Sequence, residues 1–75
     1  MTPTILDAKG LSCPLPVLRA RKIFKDVPPG GLLQVLATDP GATRDFEAFC
    51  KATGSTLVET SEAGGVLTFL IRKAG

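Results

Sequence analysis

A helix with a single apolar face must cover something, and this chain carries two such helices with little but short β-prone runs for them to cover. From Pro16 onward, Val17, Ala20, Phe24 and Val27 recur at helical spacing, and Leu18 and Ile23 widen the stripe. Arg19, Arg21, Lys22 and Lys25 fill the opposite face. A second stripe runs through Phe46, Phe49, Cys50 and Thr53. With 75 residues there is room for one domain, spanning 1–75, so both stripes must share one core. A chain this small buries only about 60% of its unfolded surface, which makes that core marginal unless it is well packed.

The β-prone runs are "TILD" (Thr4 to Asp7), "LLQVLATD" (Leu32 to Asp39), "TLVET" (Thr56 to Thr60) and "VLTFLIR" (Val66 to Arg72). Breakers separate them from the helices. Gly10 ends the first run, "PPGG" ends the first helix, "DPG" (Asp39 to Gly41) turns and offers a cap for the second, and Gly54 is a natural residue just past its end. "SEAGG" (Ser61 to Gly65) reads as a hairpin loop. The order is therefore β-α-β-α-β-β. Right-handed crossovers put both helices on one side of the sheet. The expected fold is an α/β (α+β) two-layer sandwich, a four-stranded mixed sheet with two helices on one face and the other face open. Alternation assigns Leu33, Val35, Ala37, Leu67, Phe69 and Ile71 to the helix side. Leu32, Gln34, Leu36, Val66, Thr68, Leu70 and Arg72 fall on the open side.

Composition narrows the chemistry. Hydrophobic content of 44% and charged content of 21% are those of a globular domain rather than a disordered one. The 2 cysteines are too few for a disulfide scaffold. No basic start followed by an apolar run marks a signal peptide, and no stretch approaches a membrane span. The expectation is a cytoplasmic protein with free thiols and no membrane association. There is no His, so Cys-His pairs, Ser-His-Asp triads and histidine metal sites are excluded. Two widely spaced cysteines do not form a four-ligand zinc site, and no metal is expected. A net charge of +2 does not by itself point to nucleic acid. The 4 Phe are the only aromatic residues, and all four are assigned to the core, which leaves no stacking platform for RNA. No direct nucleic-acid binding is expected.

That leaves Cys13, in "LDAKGLSCPLPVLRARKIF". Proline suits the first helical turn, and a residue preceding proline is pushed out of the α region, so the helix starts between Pro14 and Pro16. A thiolate at a helix N-terminus is stabilised by the free amides and the helix dipole. Arg19, Arg21 and Lys22 follow within two turns and are expected to lower the thiol's pKa further. The residues alone leave two readings open, a reactive thiol and a small residue tolerated near an N-cap. There is no CxxC pair for dithiol exchange and no base for acyl transfer, so an active Cys13 would attack, carry and release a group bonded through sulfur. Cys50 lies in the second apolar stripe and reads as a core residue. The basic face of the first helix is either solvated or a docking surface for an acidic partner.

Three segments, "LDAKGLSCPLPVLRARK", "ATDPGATRDFEAFCKATG" and "FLIRKAG", make the chain resemble the TusA/SirA-like sulfur carriers over nearly its whole length. The first contains that family's Cys-Pro-x-Pro signature, here after a short strand and Gly10. The resemblance implies a sandwich like the C-terminal domain of translation initiation factor three. It also implies a sulfurtransferase of the persulfide-carrier type, acting with donor and acceptor proteins rather than alone. The signature cysteine maps onto Cys13, which would take sulfane sulfur from a cysteine desulfurase or a rhodanese-like donor and pass it to a downstream acceptor protein. The relay would serve tRNA thiolation, molybdenum cofactor assembly or sulfur oxidation. No cofactor is implied beyond the transient sulfur. The signature prolines map onto Pro14 and Pro16. Asp39, Pro40, Arg44 and Asp45 match the second segment and are expected to shape the loop and helix start near Cys13 rather than to act in catalysis. Leu15, Arg19, Arg21, Lys22 and Arg44 form the expected docking surface. Leu15 stands where the family often has Glu, which makes the rim beside the thiol more apolar, and Ser55 stands where some members have His. A monomer is the simplest arrangement for a carrier that shows one thiol to two partners. The alternative is a small regulatory module that binds protein or RNA, with Cys13 redox-sensitive or incidental.

Overall fold

The computed structural model describes residues 3–74, so Gly75 of the closing segment lies outside it. The elements are β1 (Thr4–Ala8), α1 (Leu15–Phe24), β2 (Leu32–Ala37), α2 (Ala42–Thr53), β3 (Thr56–Ala63) and β4 (Val66–Arg72). They form one four-stranded sheet in the order β1-β2-β4-β3. β1 and β2 are parallel, and β4 runs antiparallel to both β2 and β3. This is the mixed sheet expected from the β-α-β-α-β-β order.

The helix-facing side of the sheet forms the core. Leu6, Ala8, Leu33, Val35, Ala37, Phe69 and Ile71 are buried there against Ala20 and Phe24 of α1 and Ala42, Phe46, Phe49 and Cys50 of α2. Aromatic contacts tie the layers together. Phe46 stacks on Phe69 with centroids 4.9 Å apart, joining α2 to β4, and Phe24 meets Phe49 edge-on at 5.2 Å, joining the helices. Such pairs contribute about 1 kcal/mol each beyond the area they bury. On the open side Leu32, Gln34, Leu36, Val66, Thr68 and Leu70 are half-buried and Arg72 is exposed. Cys50 packs as a core residue, and burial pushes its thiol pKa up.

The boundaries differ from the sequence reading in places that local physics explains. α1 ends at Phe24, yet Val27 is still buried, because the chain keeps turning beyond the helix. Lys73 Nζ donates to the carbonyls of Phe24 and Val27, each at 2.8 Å, and so closes the helix end before Pro28 and Pro29. Leu18 is 52% exposed and does not belong to the core stripe, whereas Ile23 packs on the core. β3 runs to Ala63, three residues further than expected. The hairpin needs only Gly64 and Gly65, whose φ values of 58° and 82° are the positive angles a two-residue primed turn requires. A register shift between Leu57 and Glu59 bulges this edge strand and leaves Val58 exposed. No helix among the described residues is long and apolar enough to cross a membrane.

Candidate functional site

The register of β1 against β2 decides where the chemistry falls. Ala8 pairs with Ala37, so the two parallel strands end side by side, and the loops leaving them emerge together at one edge of the sheet. α1 follows one loop and α2 the other, so both helices begin at this edge. Gly10, at φ +81°, turns the first loop, and its N–H donates to Thr38 Oγ1 in the second at 2.9 Å. Pro16 is buried and anchors the first turn of α1, while Cys13, Pro14 and Leu15 are exposed above it. The Cys13–Pro14 peptide bond is cis.

Asp39 clasps the two loops. One carboxylate oxygen accepts the N–H of Gly41 at 3.0 Å, and the other accepts the N–H of Cys13. These two bonds, Gly41 first, hold the Asp39 carboxyl below the usual carboxylate range. Asp39 therefore does not cap α2. The N-cap is Gly41, with no side-chain cap bond, because the carboxylate is committed to the loops. The Cβ of Cys13 lies close to Gly41: a methyl group placed on that glycine would sit 3.7 Å from it. The sulfur thus lies at the head of α2 as well as of α1.

The thiol itself donates to a carboxylate oxygen of Asp45, in the first turn of α2. This corrects two expectations. The pKa of Cys13 is raised, not lowered, first by the hydrogen bond to Asp45, then by partial desolvation and by the negative charges of Asp45 and Asp39. The mouth of α1 offers fewer amides than expected. Pro14 and Pro16 have no N–H, and the N–H of Leu15 is taken by the carbonyl of Ser12 at 2.8 Å. Nor do the α1 cations reach the sulfur. Arg21 lies over the Phe49 ring, 5.5 Å from its centroid, in a depression shared with Lys25, Lys73, Thr53 and Ser55. Arg19 and Lys22 line another, with Leu6 and Ile23. Of the expected docking residues only Arg44 joins Cys13, in an open depression with Pro40, Gly41, Thr43, Asp45 and Glu47. Leu15 is 45% exposed, and with Leu18 it gives α1 an apolar outer edge next to the arginines and lysine.

Sequence reasoning missed Asp45 as the partner of the sulfur and Gly41 as its neighbour. The parallel pairing of β1 and β2 was the signal that could have found them, because it joins the two strand ends and hence the two helix starts.

The site defines a class: a two-layer α/β protein presenting one exposed thiol, its second thiol buried and free. Comparison with known proteins narrows it. The profile of the family described as Sulfurtransferase TusA matches residues 4–73, and the chain belongs to that family. It is 54% identical over 69 residues to the sulfur carrier protein TusA of Allochromatium vinosum, covering 92% of this chain and 91% of the relative. It is 50% identical over 72 residues to a putative sulfur carrier protein of Neisseria meningitidis, covering 96% of this chain and 97% of that one. A crystal structure of a SirA-like protein from Desulfitobacterium hafniense superposes with a TM-score of 0.84 over 96% of this chain and 99% of the other, and at 24% identity this shows the shared fold.

Proposed function

We propose that this chain is a sulfur carrier that holds sulfane sulfur as a persulfide on Cys13. The observation that carries the reading is an exposed thiol, braced by Asp39 and Asp45 at the head of both helices, in a chain of this family. Cys13 Sγ bonds to the outer sulfur of a donor persulfide as the bond between that sulfur and the donor's own sulfur breaks. The donor leaves as a thiolate and takes up the proton that Cys13 gave up, with no net oxidation. In the second half an acceptor thiolate attacks the outer sulfur, and Cys13 leaves. Cysteine desulfurases and rhodanese-like proteins supply sulfur in the persulfide form this step needs. The exposed edge of α1, with Leu15, Leu18, Arg19, Arg21 and Lys22, and Arg44 beside the thiol, is the surface assigned to docking. A reducing, cytoplasmic setting fits two free thiols.

The test is an intact mass of the reduced protein after incubation with a cysteine desulfurase, its pyridoxal phosphate and cysteine. The wild type is expected to gain the mass of one sulfur atom, reversibly with reductant, and Cys13→Ser to gain none. Equal loading of both proteins would overturn the assignment.

A further inference from the structure

A thiol whose side-chain partner is a carboxylate is an unusual nucleophile. Among the charged groups facing Cys13, Asp39 belongs to the loop after β2, Asp45 to α2, and Arg44 and Glu47 share the depression from α2, while the cations of α1 line other depressions. Asp45 is the one in contact with the sulfur.

We propose that Asp45 is a positioning residue for sulfur transfer: hydrogen-bonded to Cys13 Sγ, it holds the thiol proton in the empty carrier and, by keeping negative charge beside that sulfur, makes Cys13 a poor leaving group in the loaded one. The proposal rests on Cys13 being the residue that bears the sulfur. Its physical basis is the weak acidity of thiols. A thiol is a weaker acid than a carboxylic acid by several pK units, so the shared proton stays on sulfur and Asp45 is not the base that removes it. What the carboxylate does is raise the free energy of the Cys13 thiolate, through the lost hydrogen bond and through repulsion.

A less stable thiolate has two consequences in exchange chemistry. It is formed less often but attacks more strongly once formed, and it departs more slowly when it is the leaving group. In the exchange between Cys13 thiolate plus a donor persulfide and Cys13 persulfide plus a donor thiolate, atoms, charge and oxidation state balance on the two sides. Between two ionised thiols the equilibrium favours placing the sulfur on the more basic one, whereas with Cys13 protonated the hydrogen bond to Asp45 stabilises the empty carrier. Asp45 therefore slows the departure of Cys13 from the loaded carrier. Loading also removes the S–H donor, so the contact that Asp45 makes in the empty carrier is lost in the full one. The carboxylate is half-buried in the first turn of α2, and Asn there matches its shape without its charge.

The experiment compares wild type with Asp45→Asn in two assays. The first is the rate of Cys13 alkylation by iodoacetamide against pH. The second is release of sulfur from the loaded protein to cyanide, which attacks the outer sulfur, forms thiocyanate and expels Cys13 as a thiolate that then takes up a proton. The variant is expected to show a lower alkylation midpoint and to lose its sulfur at least about threefold faster. An unchanged midpoint overturns the proposal, because Asp45 then does not hold the proton. A lowered midpoint with unchanged release also overturns it, because the charge then does not reach the transfer step. If the wild type takes up no sulfur, the carrier assignment fails and the proposal with it, while the alkylation midpoints still report whether Asp45 and Cys13 are coupled.

Discussion

The two cysteines of this chain both have raised pKa values, and they reach that state by opposite means. Cys50 sits in the apolar stripe of α2, where burial disfavours its charged form. Cys13 is exposed at the sheet edge, where a hydrogen bond to Asp45 and the charge of two carboxylates do so. Burial cannot be undone without opening the fold. A carboxylate can be neutralised or moved by whatever docks against it. The difference separates a thiol that is inert from one that is held in check, and only the second suits a carrier.

The sharpest way to break this contrast is chemical labelling of the native protein. Cys13 should be alkylated at a rate set by its thiolate fraction. Cys50 should react only when the α2 stripe opens, at least about a thousandfold more slowly, because opening a core element costs a large part of the global stability. Peptide mapping after timed alkylation measures both rates in one sample. Comparable rates at the two sites would remove the distinction.

Next in size is the effect on stability. Cys50→Ser places a hydroxyl among Phe46, Phe49 and the sheet and should cost about 1–3 kcal/mol in urea unfolding. Cys13→Ser keeps a donor for Asp45 at an exposed position and should stay within about 0.5 kcal/mol of wild type. A large loss in the second variant would mean that the Cys13 loop helps hold the fold together, and the clean loss of transfer expected of that variant would then need a folding control.

How legible the site was follows from the range of the forces involved. The core stripes, the strand alternation and the element order are periodic features of contiguous residues, so Phe46, Phe69, Val35 and Ile71 fell where the pattern put them. The position of Cys13 was legible too, since prolines and a glycine fix its loop locally. Its electrostatics were not. The charges nearest in sequence, Arg19, Arg21 and Lys22, spread their side chains over other parts of α1. The charges that matter, Asp39 and Asp45, arrive from 26 and 32 residues away through the β1–β2 pairing. Pro14 and Pro16 contribute no amide at the mouth of α1, and that of Leu15 is bonded to the Ser12 carbonyl. The length of β3 was missed because Gly64 and Gly65 suffice for the turn, and nothing in "SEA" marks where pairing stops.

The smallest expected effect is also the one that tells the two mechanisms apart without any sulfur chemistry. A thiol whose pKa is higher in the folded than in the unfolded state contributes stability in its protonated form. That contribution is fully present below the unfolded value, 9.0 for both cysteines, and is lost as pH rises through the folded one, because the unfolded chain gives up its proton first. Both cysteines should therefore steepen the fall in stability above pH 9. The informative quantity is the difference between urea midpoints of paired proteins across alkaline pH. Cys50→Ala should flatten the fall by the share that arises from burial. Asp45→Asn should flatten it by the share that arises from charge, and should add nothing in a Cys13→Ser background, because the group it acts on is gone. If Asp45→Asn flattens the curve equally with and without Cys13, the carboxylate is coupled to some other group, and the hydrogen bond to the sulfur is not what raises the thiol.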